Sequence, residues 1–334
     1  MSETLTYESQ VAGTAGRSDA AITAAGLERR FGATVALAGL ELAVERGEVY
    51  GFLGPNGAGK STLIRILCTL LRPTGGTASV AGHDVVREPQ AVRLKMGVAL
   101  QDAALDERAT GRELLELQAQ LHGLGRADRR RRLSEVLDLV NLGGAVDRRI
   151  GGYSGGMKRR IDLAAALIHG PEVLFLDEPT TGLDPASREE VWAEVHRLNE
   201  ELGLTVFLTT QYLEEADALA DRIGIIRGGR LVVEGEPAVL KRLVSEDVIV
   251  IETEGHGPWL VEALRALDRV TEVTADRGTI VVKAQDSTAT LLPLSAELSR
   301  ANVHVRSLTL RTPTLDDVFR QCAAPQSDMT RACG

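Results

Sequence analysis

Apolar and polar positions follow two different periods along this chain, and the changes of period mark its elements. From Ile22 to Val49, two short stretches alternate with period two around Phe31-Gly32 and Leu37 to Val44, a pattern suited to a β-subdomain. Val49 to Leu53 is apolar throughout and gives way to Leu63, Ile64, Ile66, Leu67, Leu70 and Leu71, which predict a helix buried on most faces. That helix should stop before Arg72-Pro73-Thr74-Gly75-Gly76, with short strands following around Thr77 to Val80 and Met96 to Leu100. From about Asp102 to Ile150 the pattern is helical, clearest over Glu113 to Leu121 and Leu133 to Leu142. A helix capped by Ser154 then runs through Leu163 to Ile168. Val173 to Leu176 shows no polar alternation, as in a central parallel strand. Next come a helix opening at Pro185 with Val191, Val195, Leu198 and Leu202 on one face, and a strand from Thr205 to Thr210. An acidic helix from Leu213 to Asp221 and strands at Ile223 to Ile226 and Leu231 to Val233 complete a β/α alternation.

Past Lys241 the order becomes strand (Val248 to Thr253), helix (Trp259 to Leu267), strand (Val270 to Val273), strand (Thr279 to Lys283), helix (Thr290 to Ser299) and strand (Val303 to Leu310). That βαββαβ order predicts a ferredoxin-like α+β domain. It carries no catalytic cluster, which suggests a regulatory or interface role. The segment Leu315-Asp316-Asp317-Val318-Phe319 reads as a short helix docking onto that domain. The expected organisation is a disordered leader (1–22), an α/β domain (23–243) with a helical part (about 102–155), the small domain (244–320) and a flexible tail (321–334).

With 334 residues, 44% hydrophobic and 25% charged, the chain can build a sizeable core. A net charge of −9 argues against nucleic acid as the main partner, which would require a concentrated positive surface. The basic cluster of Arg126 and Arg129 to Arg132 is more simply the start of an amphipathic helix. No apolar run approaches the roughly 18 residues of a membrane span, and the N-terminus lacks signal-peptide character, so a cytoplasmic location is expected. Cys68, Cys322 and Cys333 show no metal-ligand spacing and are expected as reduced thiols.

The chemistry concentrates at Gly54-Pro55-Asn56-Gly57-Ala58-Gly59-Lys60-Ser61-Thr62, between the apolar strand and the buried helix. Glycines there let successive N–H groups turn toward a phosphate, Lys60 can reach the β and γ phosphates, and the Ser61 hydroxyl is placed for Mg²⁺. Asp177-Glu178 ends the central strand at the edge where open α/β sheets bind ligands. Asp177 can hold Mg²⁺ through water while Glu178 polarises an attacking water. Gly155 and Gly156 weaken the helix that Ser154 caps, so an anion docking at its N-terminus is one candidate reason for them. Asp184 is at least an N-cap, and Phe31 reads either as turn packing or as a platform for a base. Spacing alone gives Gln101 no standing.

Together, over about residues 25 to 240, these residues resemble the ATP-binding subunits of ABC transporters. GPNGAGKST resembles the Walker A loop, Gln101 the Q-loop glutamine, YSGGM the signature, VLFLDEP the Walker B strand and TGLD, with Asp184, the D-loop. The resemblance implies a P-loop NTPase fold of the ABC type, ATP and Mg²⁺ as ligands, and a second copy of the chain in an ATP sandwich. It also implies a separate integral membrane permease that places the chain on the inner face of the membrane. In such a sandwich Ser154, Gly155 and Gly156 bind the γ-phosphate held by the partner, Glu178 is the base, Asp177 and Gln101 lie near Mg²⁺, and Phe31 stacks on adenine. Tyr153 and Met157 depart from the signature's usual Leu and Gln. Gln211 stands where a switch histidine is expected, and its amide can donate but cannot carry positive charge. That Gln, with YSGGM and LDDVF, resembles the daunorubicin-resistance drug exporters. A soluble ABC-type ATPase acting on ribosomes or DNA, and a scaffold with little turnover, are the competing expectations.

Overall fold

The computed structural model describes residues 20–100, 105–140, 142–244, 247–255, 258–276 and 278–323. Most of the expected leader lies outside them, and its last positions belong to a strand instead. β1 (Ala20–Phe31) and β2 (Thr34–Glu45), each 12 residues long, form an antiparallel hairpin that turns at Gly32 with φ +57°. Register shifts between Ala24 and Leu27 and again between Arg29 and Arg30 break the period of two. Those bulges hide the true strand length from a pattern search.

β3 (Val49–Leu53) leads into α1 (Lys60–Leu67). The helix ends earlier than its leucines imply. Thr69 adopts a left-handed φ of +61°, and Leu70 is 61% exposed rather than buried. β4 (Gly75–Val80) and β5 (His83–Asp84) complete a sheet ordered β2-β1-β4-β5. α2 (Pro89–Lys95), unforeseen in the sequence, precedes β6 (Met96–Ala99). The helical part holds α3 (Gly111–Leu121), α4 (Arg126–Val140) and α5 (Gly155–Leu167), with α3 closed by a capping box between Thr110 and Glu113. β7 (Val173–Asp177), α6 (Pro185–Leu202), β8 (Thr205–Thr210), α7 (Leu213–Leu219), β9 (Arg222–Arg227) and β10 (Arg230–Gly235) follow.

The central sheet is ordered β10-β9-β3-β8-β7-β6, and every neighbouring pair is parallel except β9 with β10. Alternate residues of its strands feed two cores. Tyr50, Phe52, Phe175 and Phe207 pack with α1 and the hairpin, whereas Leu174, Leu176, Val206 and Leu208 pack with α5, α6 and the helical part. A strand buried on both faces has no polar alternation, which is why Val173 to Leu176 reads as an unbroken apolar run.

α8 (Pro237–Val244), also unforeseen, joins this unit to β11 (Asp247–Thr253), α9 (Pro258–Arg265), β12 (Val270–Asp276), β13 (Thr279–Ala284), α10 (Ser287–Arg300) and β14 (Val305–Arg311). The sheet β12-β13-β11-β14 is antiparallel throughout, as a ferredoxin-like order requires, and its core is built on Ile249, Ile251, Val282, Leu260 and Leu294. α11 (Leu315–Ala323) does not dock onto this domain. Leu315 and Val318 bury against Leu53, Ala216, Ile225 and Leu240, returning the chain to α7 and α8. Amphipathic spacing identified the buried face of α11 but says nothing of what covers it. Among the described residues no helix is long and apolar enough to cross a membrane.

Candidate active site

The register of the central sheet brings the predicted chemistry together. Leu53 pairs with Thr210 and Asp177 pairs with Thr209, so β3, β7 and β8 release Gly54, Glu178 and Gln211 at one edge. Between them lies a cleft of about 290 Å³. Asn56, Gly57, Gly59, Lys60, Ser61 and Thr62 line one side, Glu178 and Gln211 another, and Ala36 of β2 joins them.

The loop before α1 is fixed by close backbone approaches. A Cβ on Gly54 would fall 2.6 Å from Ile226 O, and one on Gly59 2.6 Å from Ala36 O, so neither position admits a side chain. Ala58 N–H donates to Pro55 O at 3.1 Å and Gly229 N–H to Ala58 O at 3.1 Å, which pins the middle of the loop. Gly57, with φ +80° and nothing near its missing side chain, leaves its backbone open to the cleft. α1 has no side-chain cap at Gly59, so its first N–H groups are free for an anion. Lys60 Nζ is buried and donates to Gly54 O at 2.6 Å and more weakly to Pro55 O at 3.4 Å. Burial lowers its pKa, opposed first by Glu178 and then by Asp177. An ammonium has three donors, so one remains for a phosphate.

Asp177 is buried, and its Oδ1 accepts from Thr209 Oγ1 at 2.5 Å. Glu178 takes a left-handed φ of +49°, uncommon outside glycine, and its N–H donates to Thr209 O at 3.0 Å. Strain of this kind persists where the surroundings impose it, and here it turns the carboxylate into the cleft. Thr181 Oγ1 donates to Glu178 Oε2 at 3.2 Å, and Gln211 Nε2 reaches the same oxygen at 3.5 Å. Sequence reasoning missed Ala36, Thr181 and Thr209. Only the Thr-Thr pair before Gln211 could have drawn attention to the last.

The other expected residues that are described stand apart from this cleft. Ser154 caps α5 by accepting from Met157 N–H at 3.2 Å and is exposed. The two glycines after it also serve packing: a Cβ on Gly155 would lie 3.3 Å from Leu183 Cδ2, and one on Gly156 3.4 Å from Ser187 Oγ. Asp184 caps α6, accepting from Ser187 N–H at 3.0 Å and its hydroxyl at 2.6 Å, bonds that hold its carboxyl below the usual range. Phe31 lies outside the cleft lining, 46% exposed, with the Arg29 guanidinium 4.4 Å from its ring centre. Gln101 lies outside the described residues. Tyr153 turns into the helical part, buried, and donates to Ala145 O at 2.6 Å.

A bare glycine cradle, an uncapped helix and one ammonium fit a polyphosphate. Among the described residues no group of three or more His, Cys, Asp or Glu side chains gathers as a metal site. A Mg²⁺ held here would therefore depend on Ser61, Asp177 and the phosphate itself.

The ABC transporter family profile matches residues 37–181, and the profile of the DrrA1-3-like ATP-binding protein C-terminal domain matches residues 235–323. Daunorubicin resistance ATP-binding protein DrrA3 of Streptomyces coeruleorubidus is 50% identical over 90% of this chain and 95% of its own length. Daunorubicin/doxorubicin resistance ATP-binding protein DrrA of Streptomyces peucetius is 47% identical over 90% of this chain and 91% of its own. Among solved structures, the dimeric post-hydrolysis state of the ATP-binding cassette MJ0796 bound to ADP and Pi aligns at a TM-score of 0.58 with 27% identity, over 64% of this chain and 98% of that one. The chain is an ABC transporter ATPase and belongs with the daunorubicin and doxorubicin resistance ATP-binding proteins.

Proposed function

We propose that this chain powers the export of a hydrophobic, drug-like compound through a separate membrane subunit. It would lie on the inner face of the membrane and work as a pair of copies that close around ATP. The observation that carries the mechanism is the meeting of Lys60, Glu178 and Gln211 in one cleft, with Glu178 held there at a strained backbone angle. Gly54 to Thr62 grip the phosphates, and Lys60 donates to the β and γ groups. Glu178 accepts the proton of the attacking water, and Gln211 steadies Glu178 and donates toward the γ-phosphate. Mg²⁺, held by Ser61 with Asp177 and Gln101, would neutralise charge developing on the phosphates. Ser154, Gly155 and Gly156 serve the partner's nucleotide, Asp184 lies at the junction of the copies, and Phe31 stacks on adenine. Exposed Ser154 away from the chain's own cleft, and a relative solved as a dimer with ADP and Pi, support the paired arrangement. The named relatives support the cargo class.

Glu178→Gln should lower turnover by about 100-fold or more while leaving ATP affinity within about threefold. Loaded with ATP, that variant should run as a dimer in light scattering, and Lys60→Ala should lose ATP binding. Phosphate release by Glu178→Gln at the wild-type rate would remove Glu178 as the base. A strictly monomeric ATP-loaded variant beside its membrane subunit would remove the sandwich. Co-expression with the membrane protein that copurifies with this chain should lower doxorubicin accumulation in cells, and Glu178→Gln should abolish that effect. One observation favours a second reading, a nucleotide-gated device with little turnover: Gln211 meets Glu178 only at 3.5 Å and through a neutral amide. Wild-type turnover no faster than that of Glu178→Gln would select it.

A further inference from the structure

The contact between α6 and α7 is built as a ladder. Arg188, Trp192 and His196 follow one another at four-residue spacing on α6, and each meets α7 or its N-cap. The Arg188 guanidinium lies 4.6 Å from the centre of the Tyr212 ring, Trp192 Nε1 donates to Glu215 Oε1 at 3.1 Å, and His196 Nε2 lies 2.9 Å from Ala218 O. The middle rung is chemically unusual. Glu215 sits on α7, a helix rich in acidic residues, yet it is fully buried. A buried carboxylate costs several kcal/mol unless its oxygens are well paired, and an apolar residue of similar volume would serve packing better. Pairing here is incomplete: Glu215 Oε2, Thr180 Oγ1 and Arg188 Nε are buried without a hydrogen-bond partner. The Thr210 and Thr180 hydroxyls and the Arg188 charge still lie close enough to oppose the upward push of burial on its pKa. One carboxylate thus faces α6, the turn after Glu178 and the end of β8.

We propose that Glu215 is a positioning residue for ATP hydrolysis, tying the segment Thr210–Tyr212 to α6 so that Gln211 is held at Glu178. The proposal rests on the roles given to Gln211 and Glu178 above. Gln211 is exposed and its contact with Glu178 is long, so its placement must come from its neighbours. Both neighbours are fixed by the cluster. Thr210 lies beside the buried carboxylate and accepts Tyr212 N–H at 2.9 Å, while the Tyr212 ring stacks beneath Arg188. α6 begins at the Asp184 cap, so the same ladder links Gln211 to the Asp184 segment.

The test compares steady-state ATPase kinetics and thermal midpoints of the full chain for Glu215→Gln, Glu215→Leu and Trp192→Phe, each alone and combined with Gln211→Ala. Glu215→Gln keeps side-chain size, and Trp192→Phe keeps an aromatic ring while removing the Nε1–H donor, so the test stands if Glu215→Leu fails to fold. Each Glu215 variant should lower kcat about tenfold with the KM for ATP within about twofold, and Trp192→Phe about threefold. In the Gln211→Ala background none should lower kcat further, since the group they position is gone. Losses that add in full to that of Gln211→Ala, or that follow the thermal midpoint, would make Glu215 merely structural and overturn the proposal. Wild-type turnover by Gln211→Ala alone would overturn the role of Gln211 itself, which the single variant reports before any double variant is measured.

Discussion

Tyr153 Oη donates to Ala145 O at 2.6 Å, and a Cβ added to Gly111 would come within 2.8 Å of Tyr153 Oη. The tyrosine in the signature is thus accommodated by a glycine at the first position of α3, one of the places where only a missing side chain makes room. Gly111→Ala should destabilise the chain by about 1–3 kcal/mol, as overpacked positions do. In a Tyr153→Leu background the cost should shrink but not vanish, because Ile161 Cδ1 at 3.1 Å and Val146 O at 3.2 Å still crowd the position. A double-mutant cycle by urea denaturation measures the difference, and full additivity would show that the two residues do not share that space. Lys60 and Glu178 were legible in the sequence because their chemistry is a property of residue type in a short pattern. Thr209 was not: its 2.5 Å hydrogen bond to Asp177 exists only because β7 and β8 pair in one register. Glu215 drew no notice in the sequence, because a helix rich in acids gives no sign of which acid turns inward.

His122, the C-cap of α3, stacks on His169, just past the end of α5, with ring centres 3.8 Å apart and planes within 1°. Two helix ends are joined by this pair, and His169 Nε2 lies 3.0 Å from Met96 O, so that nitrogen carries the proton. Burial, with His122 next, lowers the pKa of His169 to about 4. The unfolded imidazole takes a proton near pH 6.5 and the folded one resists it to about 4, so stability is full above pH 6.5 and falls as pH drops toward 4. The loss should be on the order of 1–2 kcal/mol. His169→Gln keeps a donor for Met96 O without titrating, and its urea stability should decline less than wild type over that range. Equal declines would show that His169 does not carry the effect. At this scale the sequence read element types well and their ends poorly. Register shifts in β1 masked strand length, and the left-handed turn at Thr69 cut α1 short of its apolar run. α2 buries only Val92, and α8 only Leu240 among its described side chains, so neither carries an apolar stripe from which a helical period could be read.

The chain leaves the ATPase unit after α8, builds the ferredoxin-like domain and comes back through α11 to α7 and α8, so the small domain is tethered at both ends. The return was illegible because a stripe of Leu315, Val318 and Phe319 fits any apolar surface, and only the folded chain shows that the surface belongs to Leu53, Ala216 and Leu240. Those contacts place α11 against the strand that leads into Gly54 and the helix that follows Gln211. Burying Leu315 and Val318 contributes about 1.5–3 kcal/mol each, enough for α11 to hold its place when the other tether is cut. A protease site inserted between α8 and β11, once cleaved, should therefore yield two fragments that still elute together in size-exclusion chromatography. Adding Leu315→Asp and Val318→Asp should release the C-terminal fragment, because a buried carboxylate without a partner costs more than the apolar contact returned. Separation of the fragments without those substitutions would show that the second tether is too weak to join the two units. Retention with them would place the joining surface in the ferredoxin-like sheet and helices instead.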